Sequence, residues 1–311
     1  RNNRNNISGL KFAAFFLIAG FFAGTAGCAE APKARLAVVD ALVDKYIQEE
    51  KVAGLVVVVY QDGKPVYERA AGWADKEAGK PMQIDTIFRI ASQTKAMTSL
   101  AALMLIEEGK LSLSDNLGKY IRPFYWARVA ERKSKEDPVV LKPAHRHITI
   151  HHLLTHTSGL PDLESAFGYG VYRETPGDAE FLARLVALPI DFAPGERWSY
   201  SNTNYWLLAR VIEQVSGLGY GEFMQRKLFL PLHMSATRSA FPAQLLPERA
   251  AGYRRVGDRL ENREPSQPNT TRGLGDLVTS LDDMARWERE QLRPTLVSRA
   301  SAERARQPAR L

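Results

Sequence analysis

The feature that most restricts the possible folds is a pair of extended, apolar stretches near the amino terminus. Residues 55–60 form a β-branched run, and residues 65–73 continue an extended pattern. Asp62-Gly63 lies between them, and an Asp-Gly pair in that place favours a tight hairpin turn. Residues 35–48, before the hairpin, carry apolar side chains at helical spacing. The folded part of the chain is therefore predicted to begin with an amphipathic helix and two antiparallel strands.

Helical patterns dominate the chain beyond this hairpin. Residues 94–108 suit a helix with Gly109 at its carboxyl end, and residues 204–215 suit another that Gly217 stops. A hydrophobic fraction of 45% and a charged fraction of 25% are those of a globular protein. We expect an α/β plus all-α architecture, in which helices flank an antiparallel sheet and a helical subdomain occupies about residues 110–217.

The carboxyl-terminal residues offer no further strands to this sheet. Residues 273–287 suggest a loop followed by an amphipathic helix. Residues 288–311 contain no aromatic residue and a single β-branched aliphatic residue, Val297, so that no strand is expected there. A two-stranded sheet is marginal on its own. We therefore expect the sheet to be incomplete and residues 291–311 to form an irregular tail.

Residues 1–29 have the three-part order of a secretory signal. Basic residues precede an apolar run over residues 12–23, and small residues then lead to Cys28. We expect an exported protein, either periplasmic or a membrane-anchored lipoprotein. Cys28 is the only cysteine, so no intrachain disulfide can form. It follows Thr-Ala-Gly, which resembles a bacterial lipobox, and two alternatives stay open: lipidation of Cys28, which would attach the chain to a membrane, or ordinary cleavage nearby.

The net charge of +7 does not indicate a nucleic-acid partner. Part of the positive charge lies in the predicted signal, and much of the rest crowds residues 286–310. A nucleic-acid site would call for a basic stripe interleaved with aromatic residues, and the sequence has none. We expect no nucleic-acid binding.

Ser92 and Lys95 stand three residues apart at the start of a predicted helix, so their side chains share one face. A serine hydroxyl needs a base to become a nucleophile. A lysine can be that base if burial and neighbouring positive charge lower its pKa toward neutrality. The spacing alone is weak evidence, because Ser8 and Lys11 repeat it within the predicted signal.

A second constellation, Tyr200-Ser201-Asn202, follows about a hundred residues later. A phenol near a lysine ammonium can ionise more readily and shuttle protons. An asparagine side chain can hold the lysine and a substrate amide at once. The plainer alternatives are a half-buried loop aromatic for Tyr200 and a helix cap for Asn202.

Five histidines between residues 145 and 156 raise the question of a metal site. His152 and His156 are spaced i, i+4, but a zincin pattern needs Glu directly after the first histidine, and Leu153 stands there. The other three are His145, His147 and His151. No acidic residue lies among them to complete a site. We expect packing and capping roles for these histidines, and no metal or other cofactor.

Three stretches carry a resemblance to a known family. They are FRIASQTK at residues 88–95, ITIHHLLTHTSGL at residues 148–160 and PGERWSYSN at residues 194–202. In this order they resemble the class C β-lactamases, related D-alanyl-D-alanine peptidases and β-lactamase-like esterases. The resemblance implies a β-lactamase/transpeptidase-like domain over about residues 34–290.

By the same resemblance, Ser92 is implied as the acylated nucleophile, Lys95 as its partner base and Tyr200 as the proton shuttle. Asn202 is implied as an orienting, substrate-binding residue, and the backbone N–H of Ser92 as one oxyanion donor. The implied reaction is acyl transfer from an amide, β-lactam or ester carbonyl to Ser92, followed by hydrolysis. The implied substrate is a small molecule or a fragment derived from peptidoglycan.

The chain also departs from this family. Its Lys/His-Thr/Ser-Gly strand, which supplies the second oxyanion N–H, has no counterpart after Tyr200. Losing one oxyanion donor typically lowers a rate by about 10²–10³. We therefore expect a truncated or frame-shifted chain, and the alternative function is an impaired fragment or pseudoenzyme that at most binds envelope ligands. The choice between β-lactamase, D,D-peptidase and esterase stays open, as do the physiological substrate and the oligomeric state.

Overall fold

The computed structural model describes residues 33–61, 64–131, 139–240, 246, 248–263 and 268–309. The helices are α1 (Lys33–Gln48), α2 (Thr94–Glu107), α3 (Ile150–Leu154), α4 (Leu163–Phe167), α5 (Asp178–Val186), α6 (Asn202–Ser216), α7 (Tyr220–Met224), α8 (Pro268–Thr271), α9 (Leu281–Leu292) and α10 (Arg299–Ala305). The strands are β1 (Gly54–Gln61), β2 (Lys64–Asp75), β3 (Lys80–Pro81), β4 (Phe88–Arg89), β5 (Arg128–Glu131), β6 (Val140–Pro143), β7 (Arg238–Ser239), β8 (Tyr253–Val256), β9 (Arg259–Asn262) and β10 (Leu277–Thr279).

The predicted helix and hairpin at the start of the fold are confirmed. Strands β1 and β2 pair antiparallel, with Gly54 opposite Gly72 and Gln61 opposite Lys64. The predicted turn at Asp62-Gly63 lies outside the described residues. Helix α1 packs against β2, where Arg69 donates hydrogen bonds to Asp40 at 2.7 Å and to Asp44 at 2.5 Å. The sheet has three strands, because β3 pairs with β2, so the expected count of two is wrong.

A second three-stranded sheet brings distant parts of the chain together. Its order is β4-β10-β7, and Val278 of β10 lies opposite both Arg89 and Arg238. Residues 277–279 were expected to form part of a loop. Three residues are too few to show the alternation that marks a strand, so the sequence pattern could not reveal β10. This central strand sets the position of the segment before it, residues 273–276.

Helices α2 and α6 form the centre of the main hydrophobic core. Met97, Ala101 and Leu105 of α2 are fully buried, as are Trp206 and Leu208 of α6. Both helices begin and end close to the predicted residues, and both predicted glycine stops are confirmed. Gly109 has φ +69°, and Gly217 caps α6 with φ +71°, a region that glycine enters with little steric penalty.

The end of the described chain differs from the irregular tail that was expected. Residues 299–305 form α10, whose first turn is capped by the Ser298 hydroxyl, which accepts from the Ser301 N–H at 3.2 Å. The Ser298 N–H in turn donates to the Glu107 carboxylate at 2.9 Å. Alanine and arginine favour a helix, and Val297 anchors the segment in the core. No described residue after Thr279 forms a strand.

The predicted signal, residues 1–29 with Cys28, lies outside the described residues. Within the part of the chain that the structure describes, none of the helices has both the length and the apolar character that a bilayer crossing requires.

Gly159 is a backbone position where a side chain would collide with a neighbouring segment. It has φ +80°, and an added Cβ would lie 2.1 Å from the Phe192 carbonyl oxygen. Left-handed backbone and overpacking together should make Gly159→Ala lower the free energy of unfolding by about 2–4 kcal/mol. The matched control is Gly217→Ala, because Gly217 has φ +71° but an added Cβ would meet no neighbouring atom within 4 Å. This variant should lose about 1 kcal/mol of the free energy of unfolding. Urea unfolding measures both, and equal losses would contradict this role of Phe192.

Candidate active site

Ser92 lies in a tight turn between β4 and α2. Residues Ala91–Gln93 form one 3₁₀ turn that leads directly into α2. Ala91 has φ +45°, a left-handed conformation that is uncommon for residues other than glycine. The Ile90 N–H donates to the Leu277 carbonyl of β10 at 3.2 Å and holds the turn against the second sheet. Ser92 is thereby exposed at the start of α2. The N–H groups of Gln93 and Thr94 already donate to the carbonyl oxygens of Ile90 and Ala91.

Lys95 lies beneath Ser92, and its side chain reaches the serine hydroxyl. Its Nζ donates to Ser92 Oγ at 3.0 Å and to the Leu274 carbonyl oxygen at 2.9 Å. The residue is only 7% exposed. The expectation that Ser92 and Lys95 share one helical face is thus confirmed as geometry.

The pKa of Lys95 is lowered to about 7. The principal cause is burial, which disfavours the charged ammonium, while the Asp162 carboxylate acts in the opposite direction. A pKa near neutrality leaves a large share of the amine unprotonated at pH 7, as a general base requires. Burial alone therefore lowers the pKa of Lys95. The neighbouring positive charge that was expected to help does not contribute among the described residues.

Tyr200 brings its hydroxyl to the other side of Ser92. Its Oη lies 3.0 Å from Ser92 Oγ, and its ring centroid lies 5.1 Å from Lys95 Nζ. Burial raises the pKa of Tyr200, although the Ser92 hydrogen bond opposes this. The expectation of easier ionisation is therefore wrong, because desolvation, together with the nearby Asp162 carboxylate, outweighs the Ser92 hydrogen bond. At neutral pH Tyr200 is a phenol that can donate a proton.

Asn202 orients Tyr200 rather than Lys95. Its amide oxygen accepts from the Tyr200 hydroxyl at 3.4 Å, and its Nδ2 donates to the Tyr172 hydroxyl at 2.8 Å. Its backbone N–H donates to Asp162 Oδ1 at 2.6 Å. Among the hydrogen bonds of the described residues, Lys95 has none with Asn202 and instead donates to the Leu274 carbonyl oxygen.

Three contributors to the site had no signal in the sequence. Leu274 acts through a main-chain oxygen, which any residue type could provide. Asp162 and Tyr172 hold Asn202 from a loop and a 3₁₀ turn about 30 to 40 residues away. From sequence, only covariation with a contacting residue, observed across related sequences, could have indicated them.

The histidine-rich stretch separates into different structural roles. His152 forms a reciprocal cap of α3 with Thr149, its N–H donating to Thr149 Oγ1 at 3.3 Å and its Nδ1 accepting from the Thr149 N–H at 3.2 Å. His156 instead lies in the candidate site, where its ring stacks on Tyr200. Among the described residues, no three His, Cys, Asp or Glu side chains are grouped so that they could hold a metal ion.

Known proteins share both the sequence pattern and the fold. Esterase EstB of Burkholderia gladioli is 36% identical over 205 residues, covering 63% of this chain and 49% of its own length. The octameric penicillin-binding protein homologue of Pyrococcus abyssi superimposes with a TM-score of 0.70 at 30% identity, covering 86% of this chain and 59% of its own. EstCE1, a hydrolase with promiscuous acyltransferase activity, shares the fold with a TM-score of 0.73 at 22% identity, covering 88% and 77%.

The match extends over nearly the whole chain, although the relatives are longer. This chain spans between 49% and 62% of the length of the first curated relatives. The family profile described as Beta-lactamase matches residues 39–311, which include Ser92, Lys95, Tyr200 and Asn202. The fold expected for this family, with helices around antiparallel sheets, is the one observed. The chain belongs to the Beta-lactamase family.

Proposed function

We propose that the protein is a serine hydrolase that forms an acyl-enzyme on Ser92 with ester, amide or β-lactam substrates. One observation carries this proposal: Ser92 Oγ lies 3.0 Å from Lys95 Nζ and 3.0 Å from Tyr200 Oη. An exposed hydroxyl between a phenol and an amine whose pKa is lowered to about 7 has both a proton donor and a base within hydrogen-bond distance.

The geometry supports the following sequence of proton transfers. Lys95 takes the Ser92 proton as Oγ attacks the carbonyl carbon, and the backbone N–H of Ser92 stabilises the oxyanion. The proton then passes through the Tyr200 hydroxyl to the leaving group, whose bond to the carbonyl carbon breaks. Water attacks the acyl-enzyme, gives one proton to the same pair of residues and releases the acid, and Ser92 regains its hydrogen.

The substrate class follows from the relatives and the open serine. One similar protein is named an esterase and another a penicillin-binding protein homologue, which supports ester and peptidoglycan-derived substrates. Parallel assays with a short-chain aryl ester, a chromogenic cephalosporin and a D-Ala-D-Ala peptide separate the three activities. Labelling of Ser92 without turnover of any of them would favour the ligand-binding alternative.

The location proposed for this activity is outside the cytoplasm. The support is the order of basic, apolar and small residues over residues 1–29. Metabolic labelling with palmitate separates the two alternatives at Cys28: a lipoprotein incorporates the label and its Cys28→Ser variant does not. A chain whose precursor stays in the cytoplasmic fraction would contradict export.

Covalent labelling tests the proposed function directly. A fluorophosphonate should add its mass to the tryptic peptide of residues 90–95, which trypsin releases after Arg89 and Lys95. Fragmentation should place the adduct on Ser92 and not on Thr94, because Thr94 is fully buried. Heat-denatured protein is the control for non-specific reaction. An adduct on another peptide, or none on folded protein, would rule out the proposal.

A further inference from the structure

We propose that His156 is a positioning residue that holds Tyr200 at its hydrogen-bonding distance from Ser92. The inference rests on the proposed function, in which Tyr200 transfers the proton to the leaving group. It differs from the packing or capping role expected for this histidine, since it ties the imidazole to one reacting group.

His156 contacts three successive residues around the phenol. Its carbonyl oxygen accepts from the Ser199 N–H at 2.9 Å, and its Nδ1 accepts from the Ser201 N–H at 3.1 Å. Between these two hydrogen bonds, its ring stacks on the Tyr200 ring with centroids 4.6 Å apart and planes inclined by 29°. One residue thus fixes the main chain on both sides of Tyr200 and one face of its side chain.

Tyr200 needs such support because of where it lies. It is 39% exposed and precedes α6 in a segment without regular secondary structure. Its own hydroxyl contacts are with Ser92 at 3.0 Å and with Asn202 at a long 3.4 Å. Misplacing a reacting group by about 1 Å can lower a rate about 10²-fold. The contacts with His156 restrict the phenol where its hydroxyl contacts alone would not.

The hydrogen bonds also determine the protonation of the imidazole. A backbone N–H can only donate, so Nδ1 must carry a lone pair, and the proton of the neutral ring lies on Nε2. The Asn204 amide nitrogen, 3.1 Å from the same Nδ1, adds a second donor. The charged groups that act on the ring are Lys95, which disfavours a second proton, and Asp162, which favours one. Burial is the largest cause that lowers the pKa of His156, to about 4, so the ring is neutral at pH 7.

The backbone of His156 adopts a left-handed conformation. It follows α3 and has φ +57°, a region where histidine and asparagine occur more often than most other residues. Asparagine is therefore the natural conservative replacement. Its side-chain oxygen can accept hydrogen bonds from the position of Nδ1, and its backbone tolerates the same φ. Phenylalanine is the complementary replacement, because it keeps a stacking ring and has no acceptor.

The test compares His156→Asn and His156→Phe on two butyrate esters with different leaving groups. On ethyl butyrate, whose alkoxide needs a proton to leave, we expect kcat to fall about 10²-fold in His156→Phe, with KM nearly unchanged. On p-nitrophenyl butyrate, whose phenolate leaves without one, the loss should be about tenfold or less. His156→Asn should recover most of the activity on ethyl butyrate. Tyr200→Phe should show the same leaving-group dependence as His156→Phe.

The matched control is His151→Asn, a substitution at a partly buried histidine on α3 with no contact to Tyr200 among the described residues. It should retain wild-type rates on both esters. Equal losses on the two esters in His156→Phe, or no difference between the Phe and Asn variants, would overturn the inference. If neither variant folds, ¹⁵N NMR of the wild-type imidazole decides, because protonation of Nδ1 at pH 7 would overturn it and protonation of Nε2 alone would support it.

This inference and the proposed function can fail separately. If Ser92→Ala abolishes ester hydrolysis and His156→Phe keeps wild-type rates, the role of His156 is wrong and the proposed function stands. If Ser92→Ala still hydrolyses both esters at wild-type rates, the proposed function itself is wrong, whatever the tautomer of His156.

Discussion

Replacing Ser92 with alanine is expected to abolish fluorophosphonate labelling and to lower kcat/KM for the best substrate by at least about 10³-fold. The reason is that, in the part of the chain that the structure describes, the Ser92 hydroxyl alone lies within hydrogen-bond distance of both the Lys95 amine and the Tyr200 phenol. The rest of the machinery stays in place, so any residual rate would come from substrate binding and oxyanion stabilisation alone. Because Ser92 is exposed, its hydroxyl contributes little to packing, and the melting temperature should stay within a few degrees of the wild-type value.

The control for this substitution is Ser112→Ala. Ser112 is exposed, lies after the end of α2, and hydrogen-bonds Ser114 at 3.0 Å. It should retain wild-type labelling and turnover. Labelling of Ser92→Ala at the wild-type rate would show that the nucleophile lies elsewhere and would remove the basis of the proposed mechanism.

Replacing Lys95 with methionine is expected to lower the rate of Ser92 acylation by about 10³-fold or more, since it removes the general base. Methionine resembles lysine in volume and shape, so the core should keep its packing. Lys110→Met is the matched control, since Lys110 is exposed and pairs with Glu108 at 2.7 Å, and it should leave the rate unchanged. A Lys95→Met variant that is acylated at the wild-type rate would contradict the role of this amine.

The pKa of Lys95 has consequences for both activity and stability. In wild type, the acylation rate should rise with pH through about 7, as the amine loses its proton, and then level off. For stability the sign follows from linkage: the unfolded chain binds more protons between the folded pKa of about 7 and the ordinary lysine pKa of about 10.4, so the free energy of unfolding rises with pH in that window.

Lys95→Met should lack this contribution to the pH dependence. Urea unfolding should therefore show the variant at least as stable as wild type at pH 6, with an advantage that shrinks as the pH rises toward 10. A variant that is less stable than wild type at pH 6 would indicate that the Lys95 hydrogen bonds outweigh the desolvation of its charge.

The parts of this protein that depend on neighbouring residues could be predicted from the sequence. The periodicity of apolar residues located α1, α2 and α6, and the two glycine stops at Gly109 and Gly217 followed from the left-handed backbone that a helix end requires. The placement of Ser92 and Lys95 on one face followed from helical spacing. Their assignment as nucleophile and base came from the family resemblance of three separate stretches. The short motif alone could not support it, because Ser8 and Lys11 also match that motif.

Contacts between distant residues were decided by the tertiary structure. Strand β10 is three residues long and pairs with partners far away in the chain, and Leu274 binds Lys95 through a carbonyl oxygen that every residue type carries. The pKa shifts of Lys95 and Tyr200 have opposite signs for one cause, burial, which disfavours the charged ammonium and the charged phenolate alike.

For His156, the sequence and the tertiary structure indicate different roles. Its sequence context suggested packing or capping, because spacing along the chain relates it only to His152 and to its neighbours in the loop. Its contacts with Ser199, Tyr200 and Ser201 join segments more than 40 residues apart.

The sequence by itself determined the local helices, the hairpin and the spacing of Ser92 and Lys95, since these depend on interactions between residues close together in the chain. The tertiary structure alone decided which groups surround Ser92 and how strongly burial changes their proton affinities, because both depend on packing between segments far apart in the chain.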